Sequence, residues 1–170
     1  NLKTGDTTLY LSQEEPIDEE RNLVENIHTF DCMDCHNRPS HTFSLPQDFV
    51  LSVGTIESRK NMKIVVHALK DLNDINLVMV GKKTQYAYEL FDWAISNGMK
   101  DRITFIENID MLELSCVYQA AKLFVYPSIF EGFGIPSIEA LFSKTPVLTT
   151  SGGCFSEAGG PNSIYLNPKY

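Results

Sequence analysis

From Phe49 onward, apolar residues fall into two alternating rhythms. Short continuous runs, "FVLSV", "NLVMV", "ITFI", "LFVY", "PVLTT" and "SIYL", have the length and composition of buried strands. Between the first four, apolar positions recur at helical spacing: Met62, Val65, Val66, Leu69 and Leu72, then Tyr86, Leu90, Trp93 and Ala94, then Leu114, Val117, Tyr118 and Ala121. Gly54 and Gly81 close the first two runs, and Asn97-Gly98 closes the second helix. Strand and helix alternating over short links predict an α/β fold, a Rossmann-like, doubly wound parallel sheet. Such sheets bind ligands beyond the carboxyl ends of their strands. Chemistry is therefore expected in the loops 54–61, 81–85, 107–111, 127–136 and 150–157.

Residues 1–44 lack this rhythm. They read as a short, irregular, acidic extension, expected to be poorly ordered, because so short a stretch rarely builds a core alone. A helix around Glu19–Ile27 is its one periodic candidate. The net charge of -8 follows the same division: residues 1–50 hold ten acids against Lys3, Arg21 and Arg38, whereas residues 51–170 are almost balanced. No basic face invites nucleic acid, so none is expected as a partner. The start of the chain lacks the basic and apolar regions of a signal peptide and an initiator Met, so a fragment or processed chain is expected.

The stretch "FEGFGIPSIEA" follows the fourth strand and holds Glu131 and Glu139. Pro136 suits the first turn of a helix. The amides near Gly132, Phe133, Gly134 and Ile135 would then form an anion site at that helix start. Acids beside an anion site must recognise something other than negative charge, and sugar hydroxyls are the obvious donors. The alternative is that Glu139 merely favours the helix dipole and Glu131 is solvated. "VGTIESRKN", after the first strand, offers Arg59 and Lys60 to a diphosphate, or else a solvated basic pair. Asn61 is expected as a helix N-cap. Gly81 and Lys82 give a third, weaker phosphate candidate.

Taken in order, "SVGTIESRKN", "LVMVGK", "ITFIENI" and "LSCVYQAAKLFVYPSIFEGFGIPSIEALFSKTPVLTTSGGCFSEAGG" resemble the C-terminal half of family-4 retaining glycosyltransferases of the GT-B fold, from about Leu45 to the chain end. Their E-x7-E pair matches Glu131 and Glu139. The resemblance implies a nucleotide-sugar-binding domain over residues 45–170, truncated at its C-terminus. Glu131 would sit by the transferred sugar and Glu139 would hold the ribose. Lys60 would contact the diphosphate with Arg59 beside it, and Glu131, Lys60 and Arg59 would carry catalysis. The Phe133 and Gly134 amides would meet sugar and phosphate, Gly54 and Gly81 would join the donor contacts, and Ile106–Asn108 would border the base. Many members carry Arg where this chain has Thr55, so Arg59 compensates or Lys60 acts alone.

The implied reaction is cytoplasmic, retaining transfer of a hexosyl group from a nucleotide-diphosphate sugar to a polysaccharide or lipid-linked glycan. The first GT-B domain, which binds the acceptor, is a missing partner, so the isolated chain is expected to be inactive. Peripheral membrane contact would belong to the full-length enzyme. No Asp-x-Asp occurs, so no metal and no cofactor are expected.

"FDCMDCHNRPSH" is a separate signal. C-x-x-C-H reads as a c-type haem attachment, with thioethers to Cys32 and Cys35 and His36 as axial ligand. Over about Thr29–Phe43 it resembles multihaem c-type cytochromes, and His28 or His41 could supply a sixth ligand. A zinc site from Cys32, Cys35 and His41, or a chance match, are the alternatives. Haem is attached outside the cytoplasm and nucleotide sugars are used within it, so residues 1–44 are expected to be a fused or misjoined piece without haem. Two rival functions follow: an electron-carrying c-type cytochrome, and a nucleotide-binding module that keeps the fold without the chemistry. Cys116 reads as a buried small side chain and Cys154 as exposed.

Overall fold

A computed structural model describes residues 45–167. The acidic extension, with Cys32, Cys35, His36 and their haem or zinc alternatives, lies outside the described residues.

Six parallel strands run β1 (Phe49–Val53), β2 (Asn76–Val80), β3 (Ile103–Ile106), β4 (Leu123–Tyr126), β5 (Val147–Thr150) and β6 (Ile164–Leu166). Their order in the sheet is β3-β2-β1-β4-β5-β6. The α-helices are α1 (Met62–Leu69), α2 (Gln85–Ser96), α3 (Met111–Ala120), α4 (Ile135–Phe142) and α5 (Phe155–Gly159). Side chains alternate across a strand, so each β2 residue serves one face. Leu77 and Met79 join Met62, Val66, Leu90 and Ala94 of α1 and α2. Val78 and Val80 join Val117, Tyr118, Phe124 and Ala140 on the other side. A strand covered on both faces cannot spare a polar position, which is why the sequence reads as continuous apolar runs.

β1 pairs with β2 on one side and β4 on the other. The order reverses between them, and this opens a crevice at their carboxyl ends. The loops after β1 and β4 thereby become neighbours. A backbone bond from the Ile129 N–H to the Arg59 carbonyl, 2.8 Å, ties them together.

The local departures from expectation have physical causes. Asn61 precedes α1 but does not cap it through its side chain. It is left-handed (φ 53°) and its N–H closes a 3-10 turn, Ser58–Lys60, onto the Ser58 carbonyl. α1 stops at Leu69 rather than running through Leu72, which is exposed. Arg102 donates to the carbonyls of Leu69, Leu72 and Ile75, so its guanidinium serves carbonyls at and beyond the end of α1 that lack an i+4 partner there. Cys116 is half-buried on α3 and disulfide-bonded. Cys154 is half-buried rather than exposed.

Candidate functional site

Lys60 ends the 3-10 turn after β1 and is buried, which is rare for a lysine and demands compensation. Its Nζ lies 2.7 Å from Glu131 Oε1, with both side chains only 9% exposed. This is a charge contact rather than a well-aligned hydrogen bond. The Lys60 ammonium donates to Tyr126 Oη at 2.6 Å and stands 4.5 Å from the centre of the Tyr126 ring. Glu131 Oε2 meets Arg59 Nη1 at 2.8 Å, and Arg59 Nη2 meets Glu57 Oε1 at 2.7 Å. Arg59 Nη1 also donates to the Phe130 carbonyl at 3.1 Å.

The titration of Glu131 reflects a contest. Burial pushes its carboxyl up, but Lys60 and Arg59 outweigh burial and hold it below the ordinary glutamate range. The buried Ser128 hydroxyl stands close enough to help, yet lacks a well-formed hydrogen bond. Burial, with Glu131 beside it, pushes the Tyr126 phenol up, so it remains a neutral hydroxyl.

Gly134 precedes α4 in the left-handed region (φ 86°), a conformation that suits glycine. Among the described residues, the N–H groups of Gly132, Phe133, Gly134 and Ile135 have no acceptor. The buried Ser137 hydroxyl, in the first turn of α4, is also without a partner. Glu139 lies further along α4, and its Oε2 accepts from the Tyr118 hydroxyl at 2.9 Å.

Gly81 is held in close backbone packing. Its N–H is bonded to the Ile106 carbonyl at 2.9 Å. A Cβ there, at φ 141°, would lie 2.2 Å from the Gly54 carbonyl oxygen. A Cβ on Gly54 would approach Lys60 Nζ to 3.2 Å. The two glycines thus keep the strand ends close and leave Lys60 its place. Glu107 accepts from the Lys83 N–H at 3.0 Å, and its Oε2 lies 3.3 Å from Lys83 Nζ, joining the loops after β2 and β3. Thr55 is exposed.

The structure therefore brings Arg59, Lys60 and Glu131 into direct contact, and sets Glu139 apart on α4 with Tyr118. Sequence reasoning missed both tyrosines as parts of the site. The sequence did carry a faint signal for Tyr126, a residue with a polar tip ending an otherwise apolar strand. Among the described residues no group of His, Cys, Asp or Glu is placed to hold a metal ion, and no helix is long and apolar enough to cross a membrane.

Comparison with known proteins adds a family. The model described as "Glycosyl transferases group 1" matches residues 36–164. An O-antigen chain mannosyltransferase of Salmonella typhimurium is 37% identical over 123 residues, covering 72% of this chain and 35% of that protein. The chain thus spans about a third of that relative's length. Among solved structures, the C-terminal domain of a group 1 glycosyl transferase from Francisella tularensis matches with a TM-score of 0.64 and 29% identity, covering 74% of this chain and 70% of that one. Sucrose-phosphate synthase of Thermosynechococcus elongatus matches with a TM-score of 0.68 and 28% identity, covering 74% and 34% respectively.

Proposed function

The chain belongs to the glycosyl transferases group 1 family, and on that premise we propose that residues 45–170 bind the nucleotide-sugar donor of a retaining hexosyltransferase. The observation that carries this reading is the juxtaposition at the β1/β4 crevice. A buried lysine and an arginine surround Glu131, in the same loop that leads into the amides of Gly132, Phe133, Gly134 and Ile135 at the start of α4, which have no acceptor among the described residues. That arrangement suits a ligand with negative charge next to hydroxyls. A nucleoside diphosphate sugar has both.

In the proposed reaction the bond between the sugar C1 and the diphosphate oxygen breaks. The electron pair leaves with the phosphate, where negative charge grows, while an acceptor hydroxyl oxygen bonds to C1 on the same face and gives its proton to the departing phosphate oxygen. Lys60 and the fixed N–H dipoles would stabilise that charge more strongly than they stabilise the ground state, which lowers the barrier. Glu131 would accept from a sugar hydroxyl or steady positive charge near C1. Glu139 would hold the ribose. The acceptor, a polysaccharide or lipid-linked glycan, would be bound outside residues 45–170, so transfer by those residues alone should be slight. The Salmonella relative makes a mannosyl group the first sugar to test.

The direct test is a thermal-denaturation screen with UDP, GDP and ADP and their sugar conjugates. One nucleoside diphosphate should raise the midpoint, and its sugar conjugate should do so at least as well. No shift with any of them would overturn the reading.

A further inference from the structure

The two glutamates of the pair have opposite surroundings. Glu131 faces two cations. Glu139 faces none among the described residues: its Oε2 accepts from the Tyr118 hydroxyl, and its Oε1 has neither a hydrogen bond nor an ion pair. Tyr118 is 2% exposed on α3, and its own main chain is fixed by a bond from Thr145 Oγ1 to its carbonyl, 2.6 Å. Its ring packs against Phe124 of β4 at 5.5 Å between centres. Its hydroxyl has two acceptors within reach, Glu139 Oε2 at 2.9 Å and the Pro136 carbonyl at 3.3 Å, and the shorter contact is to the carboxylate. A phenol held by core packing can bring a hydroxyl to a carboxylate with little remaining freedom.

We propose that Tyr118 is a positioning residue: it grips one oxygen of Glu139 so that the other is presented to the ribose hydroxyls of the donor. This rests on the donor-binding reading above. A carboxylate free to rotate would lose conformational entropy on binding, whereas one already fixed loses less. A phenol suits the task because it donates to one carboxylate oxygen and leaves the other available to accept.

The test uses the whole chain and whichever of UDP, GDP and ADP binds, together with the 2′-deoxy and 3′-deoxy forms of that nucleotide. Calorimetry should show that the wild type prefers the ribonucleotide. Tyr118→Phe keeps the ring and should weaken ribonucleotide binding roughly 3- to 10-fold, the usual range for one hydrogen bond. It should leave the deoxy form that lacks the recognised hydroxyl unchanged. In a Glu139→Ala background the same substitution should have no further effect.

No binding by the wild type would remove the donor-binding reading itself. Equal binding of ribo and deoxy forms would remove ribose recognition. Discrimination that survives Tyr118→Phe intact would overturn only the role of Tyr118. A second measurement needs no variant: in wild-type protein labelled at the tyrosine Cζ, the Tyr118 signal should move with the ribonucleotide and not with that deoxy form. A signal that stays still with both also overturns the proposal.

Discussion

Lys60 carries the sharpest prediction at the scale of single residues. Hydrogen bonds to a charged group contribute about 1.5–3 kcal/mol. Lys60→Ala should therefore weaken nucleoside diphosphate binding roughly 10- to 100-fold by calorimetry. Glu139→Ala should weaken binding of the matching nucleoside monophosphate by less. Equal or reversed losses would mean that the diphosphate and ribose contacts are misassigned. Glu131 makes a pH prediction. Its folded-state carboxyl titrates below the ordinary range, so the unfolded chain takes up that proton first as pH falls. The resulting stability is present above the ordinary glutamate value of about 4.3 and is lost as pH drops through the lower folded value. Glu131→Gln should flatten the acid limb of a urea-stability profile below about pH 4.5. An unchanged limb would show that the Lys60 and Arg59 contacts do not persist in solution.

At the scale of elements, the loops depend on close backbone packing. Gly81→Ala would drive a Cβ into the Gly54 carbonyl in a conformation that already disfavours side chains. A loss of about 3 kcal/mol in urea unfolding is expected, within the range for severe backbone conflicts. Asp110 caps α3 in a reciprocal box with Glu113, so Asp110→Ala should cost about 1 kcal/mol. A Gly81→Ala protein with the wild-type midpoint would refute the packing account. The strands were legible because burial on both faces leaves its mark in consecutive residues. The end of α1 was not, because Arg102 comes from a distant part of the chain to satisfy its carbonyls. Asn61 was misread for a related reason: a 3-10 turn before it, unseen in composition, sets its left-handed backbone.

At the scale of the whole molecule, a ligand that binds only the folded state stabilises it by mass action. A nucleoside diphosphate at a hundredfold excess over its Kd should add about 2.7 kcal/mol, and the midpoint should climb with concentration. A shift that ignores concentration would argue against specific binding. The layered α/β architecture is written in the order of residues, since apolar rhythm dictates which segments are buried on two faces. That order also sets which loops hold the acids and bases, since motif residues are local. Which of them touch follows from the packing of the folded chain. The reversal of strand order between β1 and β4 brings Lys60 to Glu131 across about seventy positions of chain. The packing of α3 beside α4 turns Tyr118 from a core residue into the partner of Glu139. Contacts of that kind arise from how elements are stacked, and no periodicity within one element records them.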